Sequence, residues 1–298
     1  MGKASRSKQR LTTREKIAEQ RAAERRTQVR NRVSLVIGSV VAVVAVVVAL
    51  IVVKSTSSST SSVGALPKGT ALSTIVSNVT NVPTATLAEV GKGTIQTPPA
   101  PLSGQPALTK DGKPEIVYLG AEYCPYCAAE RWALAVALSR FGTFSNLNVT
   151  HSDTNDAYPN TKTLTFYKSS YTSKYIVFSP VEQTDPNRKT LETLTAGQTA
   201  LVNKYDSPPY VPASTQGAIP FIDLGNKYLV NGASYSPQVL QGKTWAQISA
   251  ALSDPSSPIA KAVDGTANVF TAAICKLTNN QPANVCTTAP IPSLSGSL

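Results

Sequence analysis

The chain has 298 residues, 42% of them apolar and 15% charged, which is enough apolar material for a sizeable core and excludes wholesale disorder. Its single histidine, His151, excludes a His-rich metal site and leaves any His-dependent catalytic triad resting on one side chain. The formal charge of +11 belongs to the tail: residues 1–33 carry 11 Lys/Arg against 3 Asp/Glu, and the other 265 residues carry 17 against 14, so the basicity says nothing about the main domain.

Residues 33–53 contain no charge, and at about 1.5 Å rise per residue this run covers roughly the 30 Å of a bilayer core. A cleaved signal peptide is the rival reading, but its apolar stretch would normally be about 7–15 residues with a small-residue cleavage site close behind. Here the run is longer, and Lys54-Ser55-Thr56 follows it, so a retained anchor is expected. Eleven Lys/Arg precede the span while only Lys54 and Lys68 lie close after it. The positive-inside bias therefore predicts a cytoplasmic tail over residues 1–32 and everything beyond the span outside. Topology explains the basic tail without a nucleic-acid partner.

Residues 54–65 form a Ser/Thr-rich linker, a flexible spacer by composition. Residues 66–108 carry a helical-looking apolar patch (Ile75, Val76, Val79, Val82, then Leu87 and Val90) and a Pro-rich stretch, read as an N-terminal extension packing on the main domain. That domain is expected over residues 109–288, with a flexible tail at 289–298.

The four cysteines fall into two pairs, Cys124/Cys127 and Cys275/Cys286. A C-x-x-C without context fits a zinc knuckle, a redox pair or half a cluster site, so the flanking sequence has to decide. Residues 115–119 (EIVYL) read as a buried strand, 120–123 as a turn, and 125–141 as a helix closed by Gly142 as its C-cap. Pro125 suits the first turn of that helix, where a missing N–H costs nothing. Cys124 then sits at a helix N-terminus, where free N–H groups and the macrodipole stabilise a thiolate.

Further on, residues 147–151 read as a second parallel strand placed beside the first by a right-handed crossover. His151 at its end reads as a structural histidine. Residues 152–215 form an insertion with an extra strand at 175–178 and a helix at 191–205 whose Leu191, Leu194, Leu201 and Val202 face inward. Strands at 221–224 and 227–230 flank a Gly-Asn turn, and residues 242–252 read as the closing helix, followed by an apolar helical stretch at 259–274.

The heptapeptide AEYCPYC at 121–127 resembles the active-site turn of the thioredoxin superfamily, and C-P-Y-C is the glutaredoxin-type motif. The segment GAIP at 217–220, followed by the two strands, resembles the part of that fold in which a cis-proline precedes an antiparallel hairpin and the last helix. More narrowly, YLGAEYCPYCAAERW at 118–132, IPF at 219–221 and the Cys275/Cys286 pair resemble a membrane-anchored prokaryotic thioredoxin-like family catalogued as a domain of unknown function, over roughly residues 66–288.

The resemblance implies an α/β, thioredoxin-like fold with an insertion before the cis-proline, preceded by one transmembrane helix. It implies a thiol–disulfide oxidoreductase in which Cys124 attacks, Cys127 resolves, Pro220 is the cis-proline and Ile219 faces the substrate. One departure stands out. Thioredoxins carry a buried acid six residues before the first cysteine, where this chain has Tyr118, so Glu122 or Glu115 is the candidate proton relay through water. Cys275 and Cys286 would close a loop of about a dozen residues as a structural disulfide worth roughly 3 kcal/mol, with a relay that exchanges with Cys124/Cys127 as the alternative. The reading assigns no cofactor and no metal. The expected partners are the membrane, extracytoplasmic cysteine-containing proteins and a membrane redox partner, with no nucleic acid. The competing reading is a non-catalytic binding module whose cysteines hold a soft metal or whose groove docks a partner protein.

Overall fold

The computed structural model describes residues 64–298. The basic tail 1–32, the apolar span 33–53 and all but the last two residues of the 54–65 linker lie outside the described residues. No helix among the described residues is long and apolar enough to cross a membrane.

The described residues form a mixed α/β arrangement of ten strands and eight α-helices. Helices α1 (Gly69–Thr80) and α2 (Thr84–Val90) come first, and Ile75, Val79 and Leu87 from them are buried in the main core. Strands β1 (Ala100–Pro101), β2 (Thr109–Lys110) and β3 (Lys113–Gly120) follow. Asp111 and Gly112 join β2 to β3 with φ of 51° and 73°, the left-handed pair that a two-residue hairpin requires. Next come α3 (Pro125–Ser139), β4 (Gly142–Ser145), β5 (Asn148–His151), β6 (Lys162–Thr165), β7 (Ser170–Ser173), β8 (Val177–Glu182) and α4 (Ala196–Tyr205). The chain finishes with β9 (Phe221–Leu224), β10 (Tyr228–Asn231), α5 (Trp245–Ala251), α6 (Pro258–Leu277), α7 (Ala283–Cys286) and α8 (Ile291–Gly296).

Strand β3 is the axis of the main sheet. It pairs in parallel with β8, in register from Glu115 opposite Val177 to Gly120 opposite Glu182, and antiparallel with β9 on its other edge. Beyond β9 lie β10 and then β1. The two-residue alternation of strands sorts the side chains onto two faces. Ile116, Tyr118, Ile222, Leu224, Tyr228 and Val230 join the core shared with α3 and α6, whereas Leu119, Val181, Phe221 and Leu229 pack with Leu102, Tyr205 and Val211 on the side of α4.

Helix α6 is buried along most of its length and packs against α3, α2 and α8. Gly265 permits this, because a Cβ there would come within 2.6 Å of the Lys92 carbonyl oxygen and 2.7 Å of the Gly93 Cα. One turn later, Asn268 Nδ2 donates to the carbonyls of Leu87 (2.7 Å) and Gly91 (2.8 Å), and its Oδ1 accepts from Arg140 Nη1 (3.1 Å), tying α2, α6 and the end of α3 together. Cys275 near the end of α6 is disulfide-bonded to Cys286 in α7, with Cα atoms 5.6 Å apart.

Several expectations need correction. Residues 147–151 do not supply the parallel partner of β3: β5 pairs antiparallel with β6 in a separate two-stranded sheet, and the parallel partner is β8. A strand beside β3 must be apolar on both faces, which Phe178 and Val181 satisfy, whereas β5 opens with the exposed Asn148 and turns the Thr150 hydroxyl to a carboxylate. The stretch at 175–178 is thus the start of the principal crossover strand. Gly142 is no C-cap: α3 ends at Ser139 with Arg140 as its cap, and Gly142 opens β4 against β7, where a Cβ would meet the Thr172 carbonyl oxygen at 2.3 Å. The helix expected from residue 191 begins at Ala196, where Thr195 and Gln198 form a capping box. The segment 289–298, expected as a loose tail, holds α8, with Ile291 fully buried and Lys276 Nζ donating to the carbonyls of Ser295 and Leu298.

The contact at Gly265 has a measurable consequence. Gly265→Ala should lower stability by about 1–3 kcal/mol through overpacking, read as a fall in the urea midpoint. Gly197→Ala in α4, where an added methyl meets nothing within 4 Å, should leave that midpoint unchanged or slightly higher. Equal midpoints for the two variants would show that the 91–93 turn yields freely.

Candidate active site

At the C-terminal end of β3 the chain turns through residues 121–123, and the Cys124 N–H donates to the Ala121 carbonyl at 3.2 Å. Cys124 is the N-cap of α3, and its Sγ accepts from the Cys127 N–H at 3.3 Å. Pro125 occupies the first helical position, where no N–H is needed. Both cysteines are free thiols. Cys124 keeps 5% of its surface and Cys127 none, so only the first sulfur can be approached from outside.

The two thiols differ electrostatically. Cys124 is held below the ordinary thiol value chiefly by its hydrogen bond with the Cys127 side chain, with the Cys127 N–H, the Arg131 charge and the Tyr126 N–H assisting against burial. Burial pushes the Cys127 thiol well up, and the adjacent Cys124 adds to that rise.

Beneath the turn lies a buried ion pair. Arg131 Nε and Nη2 donate to Glu182 Oε1 and Oε2, each at 2.7 Å, and Nη2 also donates to the Ala121 carbonyl at 2.7 Å. Both side chains are fully buried. Arg131 follows Cys127 by four residues and so shares its face of α3, and β8 carries Glu182 to the same point because it runs parallel to β3. Thus the site holds an ion pair whose Arg131 end acts on both thiols in the lowering direction.

The remaining expected residues divide. The Ile219–Pro220 bond is cis, and the Ile219 carbonyl accepts from Cys124 Sγ at 3.7 Å, so this segment lies against the first cysteine. Glu122 makes no hydrogen bond to either cysteine: its carboxylate accepts from the hydroxyls of Thr150 and Thr165 and lines a surface cleft of about 460 Å³ with Tyr167 and Lys168. Glu115 is further away, five residues back along β3 or about 16 Å by strand rise, where it accepts from Ser179 Oγ and lies 3.8 Å from Lys110 Nζ. Glu115 therefore lies at the opposite end of β3 from the cysteine turn. His151 is occupied locally, its Nδ1 2.8 Å from the Ser152 carbonyl. Cys275 and Cys286 are joined to each other by their disulfide, away from the turn.

An aromatic rim borders Cys124. The Arg188 guanidinium stacks 3.9 Å from the Tyr123 ring centroid, and Tyr126, 41% exposed, meets the edge of Tyr158 with centroids 5.8 Å apart. Sequence reasoning missed Arg131 and Glu182. Arg131 was discoverable, with Glu130, as one of two charges in an otherwise Ala/Leu/Val-rich helix one turn past Cys127, whereas nothing local marks Glu182.

Together these features define a mixed α/β domain with a buried dithiol at a strand-to-helix turn. The chain belongs to the DUF929 family, a domain of unknown function, whose family model matches residues 102–276. No curated protein and no solved structure matches it.

The asymmetry of the thiols predicts their reactivity. A thiolate alkylates and a thiol does not, so lowering the pKa of Cys124 moves its reaction to lower pH. Iodoacetamide should modify one cysteine per reduced native chain, with a rate that rises through a midpoint below the ordinary thiol value of about 8.5. The second thiol should react only after unfolding, as mass spectrometry of the native and denatured protein would show. Equal labelling of both cysteines in the native state would contradict the site geometry.

Proposed function

We propose that this chain is a membrane-tethered thiol–disulfide oxidoreductase with a thioredoxin-like domain outside the cytoplasm, acting on cysteines of extracytoplasmic proteins. The observation that carries the proposal is the inequality of the two thiols: an approachable, acidified Cys124 at a helix N-terminus and a fully buried Cys127 one turn behind it. An attacking and a resolving thiol need this division of labour. The parallel β3–β8 pair with α3 in its crossover, followed by the antiparallel β9–β10 hairpin, supports the thioredoxin-like reading.

In the reductive direction the Cys124 thiolate attacks one sulfur of a substrate disulfide and expels the other as a thiolate, giving a mixed disulfide. Cys127 then loses its proton and attacks Cys124 Sγ. The second substrate thiolate leaves, a Cys124–Cys127 disulfide remains, and two electrons have passed from the pair to the substrate. The reverse sequence oxidises a substrate dithiol. The segment at Ile219 and Pro220, resting on Cys124, is the place where the substrate chain would lie. An extracytoplasmic location follows from the basic residues ahead of the apolar 33–53 span. The Cys275–Cys286 disulfide supports it, since such bonds persist in oxidising compartments.

Trapping in cells tests the chemistry. Cys127→Ser should accumulate mixed disulfides with extracytoplasmic proteins, because the attacking sulfur remains and the resolving one is gone. Cys124→Ser should trap few or none. Bound metal lost equally in both variants, with no trapped partners, would replace the oxidoreductase by the soft-metal binding module.

Protease added to intact spheroplasts tests the topology. It should remove the domain beyond residue 53 and leave residues 1–32 protected, as read by antibodies to each end. Digestion of the N-terminal tail alone would reverse the orientation.

A further inference from the structure

Two buried hydrogen-bonding groups under the cysteine turn have no partner. Arg131 spends Nε and Nη2 on Glu182 and the Ala121 carbonyl, and its Nη1 is left buried and unpaired. The Tyr118 hydroxyl is likewise buried and unpaired. Its ring stands edge-on to Phe166 with centroids 5.2 Å apart, and its hydroxyl extends along β3 over Gly120, where a Cβ would come within 2.1 Å of it. The absence of a side chain at Gly120 therefore makes room for a hydroxyl directed at the catalytic turn. Leaving a buried donor unsatisfied is costly, and two such groups under one cysteine-bearing turn call for a function.

We infer that the Tyr118 hydroxyl and Arg131 Nη1 are the hydrogen-bond donors held ready for the ionised Cys127, so that Tyr118 sets the pH at which the buried cysteine resolves a mixed disulfide. The inference rests on the oxidoreductase reading and deepens it. In the resting thiol state Cys127 demands nothing from these donors. Once Cys124 is tied up in a mixed disulfide, Cys127 must release a proton, and a thiolate enclosed on all sides becomes stable only with donors around it. The ionisable groups that act on it are Cys124 from the turn, Arg131 from its own helix and Tyr118 from β3, with Glu182 of β8 paired to that arginine. Tyr118 stays protonated throughout, since burial pushes its phenol well up. It donates a hydrogen bond and accepts no proton; the proton released by Cys127 goes to solvent.

The test uses the full chain and dithiobis(nitrobenzoate) as the probe. Attack by Cys124 releases one nitrothiobenzoate and leaves the other on Cys124; resolution by Cys127 releases the second, so stopped-flow absorbance separates the two steps. Tyr118→Phe removes only an unpartnered hydroxyl and should fold as the wild type does. Its second phase should shift to a pH midpoint higher by about one unit, as expected for loss of a hydrogen bond to a charged group. Because a more basic thiolate is a better nucleophile, the two profiles should cross: the variant about threefold slower well below the midpoints and about threefold faster on the alkaline plateau. The first phase should change by less than about twofold. Arg131→Lys, which keeps a charge opposite Glu182 but removes Nη1, should move the second midpoint in the same direction. An unshifted second phase, or one slowed equally at every pH, would overturn the inference while leaving the oxidoreductase reading intact. A wild-type protein that releases only the first nitrothiobenzoate would overturn both.

Discussion

The buried pair of Arg131 and Glu182 is the constraint on which the site depends. Each ion costs several kcal/mol to desolvate, and the cost is offset only when geometry is close to ideal. Here both bonds are 2.7 Å, and a third at the same distance reaches the Ala121 carbonyl in the turn ahead of Cys124, which leaves Nη1 as the one nitrogen of the guanidinium without a partner. One guanidinium thus joins the cysteine-bearing helix to the parallel strand and to the turn that presents the nucleophile. Removing either partner would strand a charge in the core, so the registers of α3 and β8 are coupled through this contact.

The rest of α3 is held just as firmly. Thr163 Oγ1 donates to the Ala128 carbonyl at 2.7 Å, Trp132 Nε1 donates to the Lys162 carbonyl at 3.0 Å, and Tyr235 bonds the Ala129 carbonyl. Glu130, fully buried, accepts from the Ser234 N–H and hydroxyl, and burial raises its pKa to about 7. At the far end Arg140 bonds Asn268 and Thr271 of α6. The helix is therefore fixed along its length by polar contacts to β6, to the segment after β10 and to α6, which leaves the sulfurs little freedom to drift. The insertion supplies much of this clamp, since β6 packs on α3, Tyr171 of β7 donates to the Leu138 carbonyl, and Phe166 and Phe178 pack against Phe144 of β4.

Burial and charge then divide the two cysteines. The same helix N-terminus that exposes one sulfur to donors buries the next a turn later. The positive charge below acts on both, but only Cys127 pays the full cost of leaving water, and the two thiols separate in acidity although they are three residues apart.

The local pieces of this arrangement are legible along the chain: the strand ahead of the C-x-x-C, the helix opening at Pro125, the Cys pair at its N-terminus, and the two strands about Gly225 and Asn226. Each is coded within a dozen residues by apolar runs, a proline tolerated only in the first helical turn, or a turn residue with φ above zero. Long-range packing fixes that β8, and not 147–151, lies beside β3, that Gly142 serves a strand approach, that 291–296 is a helix, and that Glu182 pairs with Arg131 within electrostatic reach of Tyr118. Strand pairing is chosen by the burial of both faces against helices distant in sequence, and periodicity along one segment carries no information about its neighbour. For the same reason a glutamate that ends an ordinary-looking strand becomes a site residue only when the parallel register sets it opposite Gly120.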